Sequence, residues 1–72
     1  MKLTSLQVTE VALKANRLIR ENKDMRMGQA LMNALFEVSP DHYKAIKDSP
    51  WSAGFDPFYN DAYIPRFWSF LT

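Results

Sequence analysis

Few residues of this 72-residue chain could carry acid–base or metal chemistry. Asp41 precedes the only histidine, His42, and two further acids, Asp56 and Asp61, lie close together in the sequence. A histidine beside a carboxylate can transfer protons, and two carboxylates in a turn can hold a cation weakly. Cysteine is absent, which excludes thiolate metal sites and cysteine nucleophiles, and two glycines are too few for a phosphate loop. We therefore predict that the protein is not an enzyme and uses no metal or other cofactor.

Aromatic residues are concentrated at the C-terminal end of the chain. Eight of the ten lie between residues 51 and 72, in a stretch interrupted by glycine and proline: Trp51, Phe55, Phe58, Tyr59, Tyr63, Phe67, Trp68 and Phe70. Aromatic side chains contribute large apolar areas to both cores and interfaces. We expect most of them to complete a core. Trp51 and Phe55 are the expected surplus, since the loop around them has little regular structure, and they are predicted to bind a partner.

Basic charge is concentrated in the first part of the chain. Residues 1–26 carry six basic and three acidic side chains, whereas residues 27–72 carry three and five. The basic cluster suggests a phosphate-binding face, but Glu10 and Glu21 alternate with it and its members spread around the outer half of a helix: Lys14, Arg17, Arg20 and Lys23. A solvated surface is the favoured interpretation, and nucleic-acid binding through this outer face is kept as an alternative.

Two leucines are out of place on the same charged face. Leu6 and Leu13 are seven residues apart, so they fall in line on a helix. Two apolar side chains in line begin an exposed stripe. Either the C-terminal aromatics pack over them, or they form a dimer or partner interface with Arg17 and Arg20 at its edge. Both interpretations stay open at this point.

Periodicity and capping signals place these side chains on three helices. Thr4 followed by Gln7 has the form of a capping box and predicts a helix over residues 5–22. Asp24 is a suitable N-cap for a second helix over residues 25–38. Ser39 and Pro40 predict a third helix over residues 40–47, with serine as the N-cap and proline at the first position.

The second helix is apolar around most of its circumference, so it must be covered on several sides. A single polar strip interrupts it: Arg26, Gln29, Asn33 and Glu37. This strip is either a recognition surface for a partner or a set of contacts within the protein. In the second case, Gln29 and Asn33 bond the backbone of the turn at residues 56–59. Arg26 then pairs with Asp56 or Asp61. We favour the internal role, and we expect Gly28 to allow another element to approach closely.

The remaining residues predict an ordered loop over residues 48–64 and a short helix over residues 65–71. Asp56 and Pro57 are typical of a turn within the loop. No alternation typical of a β-strand persists anywhere. The sequence therefore predicts one all-α domain over residues 1–72: a small bundle of three helices with an aromatic-rich C-terminal wrap and a short fourth helix.

Two stretches resemble a pattern found in small uncharacterised proteins of tailed bacteriophages. Residues 26–35 resemble R-x-G-Q-x-L-x-N-x-L, and residues 56–61 are similar to D-P-F-Y-x-D. Pro40, Tyr43 and Ile46 also match the pattern, and the resemblance spans residues 24–68. It implies a phage or prophage gene, a context in which small helical proteins often bind and inhibit a host factor.

Together these observations predict a small accessory or inhibitory protein that binds a host or phage protein. The alternatives are a nucleic-acid-binding regulator that uses the outer face of helix one, and a homo-oligomeric structural component such as a homodimer. We expect a cytoplasmic location in an infected bacterium, because no apolar run approaches the roughly 20 residues that a membrane span needs. Nucleic acid and membrane are not expected partners, and no motif identifies the bound protein.

Overall fold

The structure is a computed structural model that describes residues 2–72, and these residues form helices and turns without a β-strand. The predicted all-α class is confirmed. The protein measures 30 × 25 × 18 Å. Its four α-helices are α1 (Ser5–Glu21), α2 (Met27–Val38), α3 (Pro40–Asp48) and α4 (Ile64–Leu71), and two short 3-10 turns, Trp51–Ala53 and Asp61–Tyr63, lie between α3 and α4. None of the helices in residues 2–72 is long and apolar enough to cross a membrane.

Local capping begins two of the helices as predicted. The backbone N–H of Gln7 donates to the Thr4 hydroxyl at 3.1 Å, and the Thr4 N–H donates to the Gln7 side chain at 2.9 Å. This reciprocal pair satisfies two N–H groups that a helix start leaves free. At α3, Ser39 is the N-cap and Pro40 occupies the first turn. These two starts depend on neighbouring residues, which is why the sequence predicts them.

The start of α2 corrects the sequence-based prediction. Asp24 is exposed and lies in a turn, and α2 begins at Met27 with Arg26 as its N-cap residue. The Gln29 side chain accepts a hydrogen bond from the Arg26 N–H at 3.2 Å. The arginine side chain has no hydrogen-bond acceptor, so Arg26 cannot accept a bond from the Gln29 N–H as Thr4 does from the Gln7 N–H. The helix starts two residues later than predicted, and the distant Asp61 carboxylate accepts the hydrogen bond of the Gly28 N–H in its first turn.

The core is built around α2, which is covered on several sides. Its Met32 and Leu35 are fully buried, as are Ile46 of α3 and Phe67 and Leu71 of α4. α1 packs along a further side and buries its own apolar face, including Val11 and Ala15. The C-terminal segment thus completes the core, as the apolar circumference of α2 predicts. The ends of the chain also meet, since the Leu3 N–H donates to the Leu71 carbonyl at 2.8 Å.

Candidate functional site

The first turn of α2 is joined to the loop after α3 by a small set of close contacts. One carboxylate oxygen of Asp61 accepts a hydrogen bond from the Gly28 N–H at 2.9 Å and lies 3.3 Å from Nη1 of Arg26. Nη2 of Arg26 donates to the Phe58 carbonyl at 2.6 Å. A side chain at position 28 would overlap the carbonyl oxygen of Pro57, so this approach requires glycine. These five residues, the Asp61 junction, bring together both halves of the sequence pattern described above.

Only part of the predicted polar strip on α2 acts at this junction. Arg26 bonds the loop and pairs with an aspartate, as predicted. The expectation that Gln29 and Asn33 bond the turn is wrong: Gln29 bonds the first turn of its own helix, and Asn33 is exposed without a side-chain hydrogen bond among residues 2–72. Glu37 lies 3.8 Å from Lys14 of α1. The strip is therefore divided among separate structural contacts.

Asp56 fixes the loop just before the Asp61 junction. Its Oδ1 accepts a hydrogen bond from the Phe58 N–H at 2.9 Å, which is the expected turn, and its Oδ2 accepts one from the Lys47 ammonium at 2.8 Å. The ammonium lies 5.2 Å from the centre of the Phe58 ring, within cation–π range. Burial lowers the pKa of Lys47, but the hydrogen bond and charge of Asp56 outweigh it and raise that pKa overall. A charged lysine therefore ties α3 to the loop.

An exposed aromatic surface lies on this fixed loop. Trp51 is 66% exposed and Tyr59 is 67% exposed, and their ring centres are 6.4 Å apart. Tyr63 also packs against Trp51, edge to face, with a centre-to-centre distance of 6.4 Å. We call these three residues the aromatic surface. Its members belong to different turns of the loop, so tertiary contacts rather than one helix bring them together.

A pocket of about 160 Å³ opens beside the aromatic surface. Its wall combines apolar side chains with one ion pair: Ile46, Lys47, Trp51, Phe55, Asp56 and Tyr63. An enclosed apolar cavity of about 150 Å³ can hold a benzene molecule, whereas small-molecule sites usually measure about 300–1,000 Å³. The pocket therefore has room for one side chain rather than for a cofactor.

Arg66 lies next to Gly54, one of the residues that line this pocket. Its Nη1 donates to the Ala53 carbonyl at 2.8 Å. Its Cδ passes close to Gly54, since a Cβ built on that glycine would lie 3.2 Å away. Within residues 2–72 no carboxylate lies within ion-pair distance of this guanidinium. Arg66 is thus an uncompensated cation held beside the aromatic surface, and no motif in the sequence identifies it.

The two aromatic residues predicted as surplus have different environments. Trp51 is exposed, as expected. Phe55 is half-buried and stacks on Phe70 of α4, with ring centres 4.7 Å apart and planes inclined by 34°. The expectation that Phe55 is left over from the core is wrong, because α4 returns over the loop and covers this ring. Phe55 contributes to the pocket wall and not to the exposed surface.

The leucine pair on α1 is uncovered. Leu6 is 69% exposed and Leu13 is 63% exposed, so the C-terminal aromatics do not pack over them. Arg17 and Arg20 beside them are also exposed. A second depression of about 200 Å³, lined in part by Lys14 and Arg17, lies between α1 and α2. Leu6 and Leu13, the leucine face, are therefore a second exposed apolar surface, which is aliphatic where the first is aromatic.

Sequence reasoning missed two exposed aromatic residues. Phe36 lies on the largely apolar helix α2, yet it is 56% exposed and packs edge to face against Tyr43. Tyr59 was assigned to a turn without a binding role. In both cases a signal existed: Phe36 is at the border of the polar strip, and Tyr59 directly follows Phe58, so one turn cannot easily bury both rings.

The residues considered for catalysis are not arranged as a site. His42 is half-buried, with its Nδ1 at 2.5 Å from the Ser39 hydroxyl and its Nε2 without a hydrogen-bond partner. Asp41 is exposed on the outside of α3. Asp56 and Asp61 each pair with a cation of their own. Within residues 2–72 no group of three or more acidic, histidine or cysteine side chains could hold a metal ion.

No protein-family model, curated protein or solved structure matches this chain. Its candidate binding surfaces are therefore identified from geometry alone. Among residues 2–72, the aromatic surface with its pocket and the leucine face on α1 are the two surfaces that expose large apolar side chains in groups. The first combines tryptophan, tyrosine and arginine, the residue types that most often dominate binding energy at interfaces.

Proposed function

We propose that the chain is a small accessory or inhibitory factor that binds a host or phage protein through the aromatic surface. The observation that carries this proposal is the exposure of Trp51 and Tyr59 side by side on a loop held by long-range bonds. A large exposed aromatic pair is costly in water and contributes strongly when a partner covers it. Preorganisation of the loop reduces the ordering cost on binding.

The phage setting is part of the same proposal. It is supported by the resemblance of residues 26–35 and 56–61 to the pattern of small tailed-phage proteins. In that setting the protein acts in the cytoplasm of an infected bacterium. The aromatic surface is favoured over the basic face of α1 because Lys14 lies near Glu37 and acidic residues interrupt the other basic side chains.

The test is affinity capture with matched variants. The unaltered chain, Trp51→Ala, and the double variant Leu6→Ser, Leu13→Ser are immobilised and exposed to a bacterial lysate. We expect a protein retained by the unaltered chain and by the leucine variant to be lost with Trp51→Ala. Both variants should melt nearly as the unaltered chain does, because all three side chains are mostly exposed. Equal retention of every protein by Trp51→Ala would contradict the proposal.

The exposed leucines support one second candidate, self-association of a structural component through α1. Leu6 and Leu13 lie in line on the outer face, with arginines at the edge. Sedimentation at increasing protein concentration tests it. A dimer that disappears in the leucine variant and persists in Trp51→Ala would favour this candidate. A monomer throughout would remove it.

A further inference from the structure

Near the aromatic surface the acidic side chains have ion-pair partners, whereas one basic side chain does not. Each aspartate between residues 48 and 66 pairs with a basic residue that lies in α2 or α3 or directly next to one of these helices. The pairs are Asp48 with Lys44 at 2.7 Å, Asp56 with Lys47 at 2.8 Å, and Asp61 with Arg26 at 3.3 Å. Arg66 has no such partner within residues 2–72. The surface beside the pocket therefore carries one unmatched positive charge, which is complementary to a carboxylate.

The position of Arg66 makes this charge usable by a ligand. A guanidinium has five N–H donors, and Arg66 uses Nη1 for the Ala53 carbonyl. That bond holds the group beside the 3-10 turn that begins with Trp51. The remaining donors can bind a carboxylate, for which the planar guanidinium is well suited. Gly54, which the Arg66 side chain passes, also lines the pocket.

Pocket size and charge together restrict the occupant. A volume of about 160 Å³ accepts one apolar side chain, and the guanidinium beside it favours an acid next to that side chain. We propose that the aromatic surface binds a short acidic segment of its partner protein, with one apolar side chain in the pocket and a neighbouring carboxylate on Arg66. This inference rests on the proposed function and specifies the chemistry of the partner at the same site.

Four capped nine-residue peptides test the proposal. The first has a central leucine flanked by glutamates. In the second and third, glutamine or lysine replaces the glutamates, and in the fourth, glycine replaces the leucine. Each is titrated to millimolar concentration into the labelled full-length chain while NMR records the indole N–H of Trp51. Trp68, which does not line the pocket, is the internal reference, and Trp51→Phe assigns the two indole signals.

We expect the acidic leucine peptide to shift the Trp51 signal and leave that of Trp68 in place. The glutamine peptide should bind about two- to fivefold more weakly, the usual contribution of one exposed ion pair. The lysine and glycine peptides should bind more weakly still. Failure of the acidic leucine peptide to move Trp51, or equal binding of the acidic and lysine peptides, would overturn the proposal.

Variants at position 66 separate charge from packing. Arg66→Lys should keep the preference for the acidic peptide, Arg66→Gln should remove it, and Arg66→Glu should reverse it towards the lysine peptide. A preference unchanged in Arg66→Glu would overturn the role of this residue. Broadening of the Trp51 signal, but not of the Trp68 signal, that grows with protein concentration alone would place a second copy of the chain in the pocket, which also overturns it.

The two proposals fail in distinguishable ways. If a lysate protein is retained through Trp51 but the peptides show no acidic preference, the partner chemistry is wrong and the proposed function stands. If Trp51→Ala retains every protein that the unaltered chain retains, the proposed function fails. In that case a peptide response at Trp51 would not restore it.

Discussion

The helix α1 and the loop between α3 and α4 are ordered by different kinds of contact. α1 is capped at its start by Thr4 and by its own Gln7, and its apolar face packs on the core along its length. The loop is held by polar bonds to distant residues, above all at the Asp61 junction, where the Gly28 N–H and Asp61 are 33 positions apart. The capping of α1 therefore needs only residues close in the sequence, whereas the order of the loop depends on the whole fold being assembled.

The two regions also expose different surplus residues. On α1, Leu6 and Leu13 lie one behind the other on a charged face. On the loop, Trp51 and Tyr59 contact one another next to a pocket. A row of two aliphatic side chains offers little specific shape, whereas paired rings beside a pocket offer both area and a definite geometry. This contrast is the reason for placing the binding site on the loop.

Removing the largest buried ring should break the fold of both regions. Phe67→Ala should lower the free energy of unfolding by about 3–5 kcal/mol, because the ring is fully buried and leaves a cavity in a small domain. Chemical denaturation followed by circular dichroism measures the loss. Phe36→Ala, at a mostly exposed ring of α2, is the matched control and should cost much less. Similar losses in the two variants would mean that α4 does not complete the core.

A methyl group added to Gly28 should weaken the contact between the loop and α2 at the Asp61 junction. Gly28→Ala would usually stabilise a helix, but here the added carbon overlaps the Pro57 carbonyl. We expect a loss of about 1–3 kcal/mol in the free energy of unfolding, as for other overpacked sites. The control is Asn33→Ala, at an exposed position of the same helix. A gain in stability for Gly28→Ala would contradict the close approach.

Two variants at the start of α2 test whether this helix is capped by a residue close in the sequence or by a distant one. Asp61→Ala should cost about 0.5–2 kcal/mol, the usual loss of an N-terminal helix acceptor, because the Gly28 N–H loses its partner. Asp24→Ala should have nearly no effect, since Asp24 is exposed and outside the helix. Denaturant titration of both variants measures the two changes. The opposite order would restore Asp24 as the cap that the sequence suggests.

The smallest effect is expected on the leucine face. The double variant Leu6→Ser, Leu13→Ser should change the free energy of unfolding by about 0.5 kcal/mol or less, because both side chains are mostly exposed. Thermal melting at low protein concentration measures it without interference from association. A large loss would show that these leucines support the fold. They would then be removed from the candidate binding surfaces.

The sequence predicts most of the helical framework because its signals are local. Capping at Thr4 and Ser39, the apolar circumference of α2 and the need for close approach at Gly28 all follow from neighbouring residues or from composition. The pairings at the Asp61 junction are less predictable, because several aspartates could have reached the same arginine. Asp24 was chosen as a cap for its position in the sequence, although the fold supplies the acceptor from Asp61.

The sequence predicts the candidate binding surface only in part, for a related reason. Trp51 was identified as surplus, but the exposure of Tyr59 and the burial of Phe55 depend on how α4 returns across the loop. Arg66 cannot be identified in the same way, since its proposed role depends on contacts with Ala53 and Gly54 in three dimensions. Residue types thus indicate which side chains are available, and tertiary contacts decide which of them meet.

The central claim is that the loop from residue 51 to residue 63 is as ordered as α1 and therefore presents Trp51 in a fixed position. Backbone amide relaxation measured by NMR tests it directly in the unaltered chain. We predict order parameters of about 0.85 both in α1 and in this loop, the value of a rigid backbone. Values below about 0.6 across the loop, with α1 remaining rigid, would contradict a preformed binding surface.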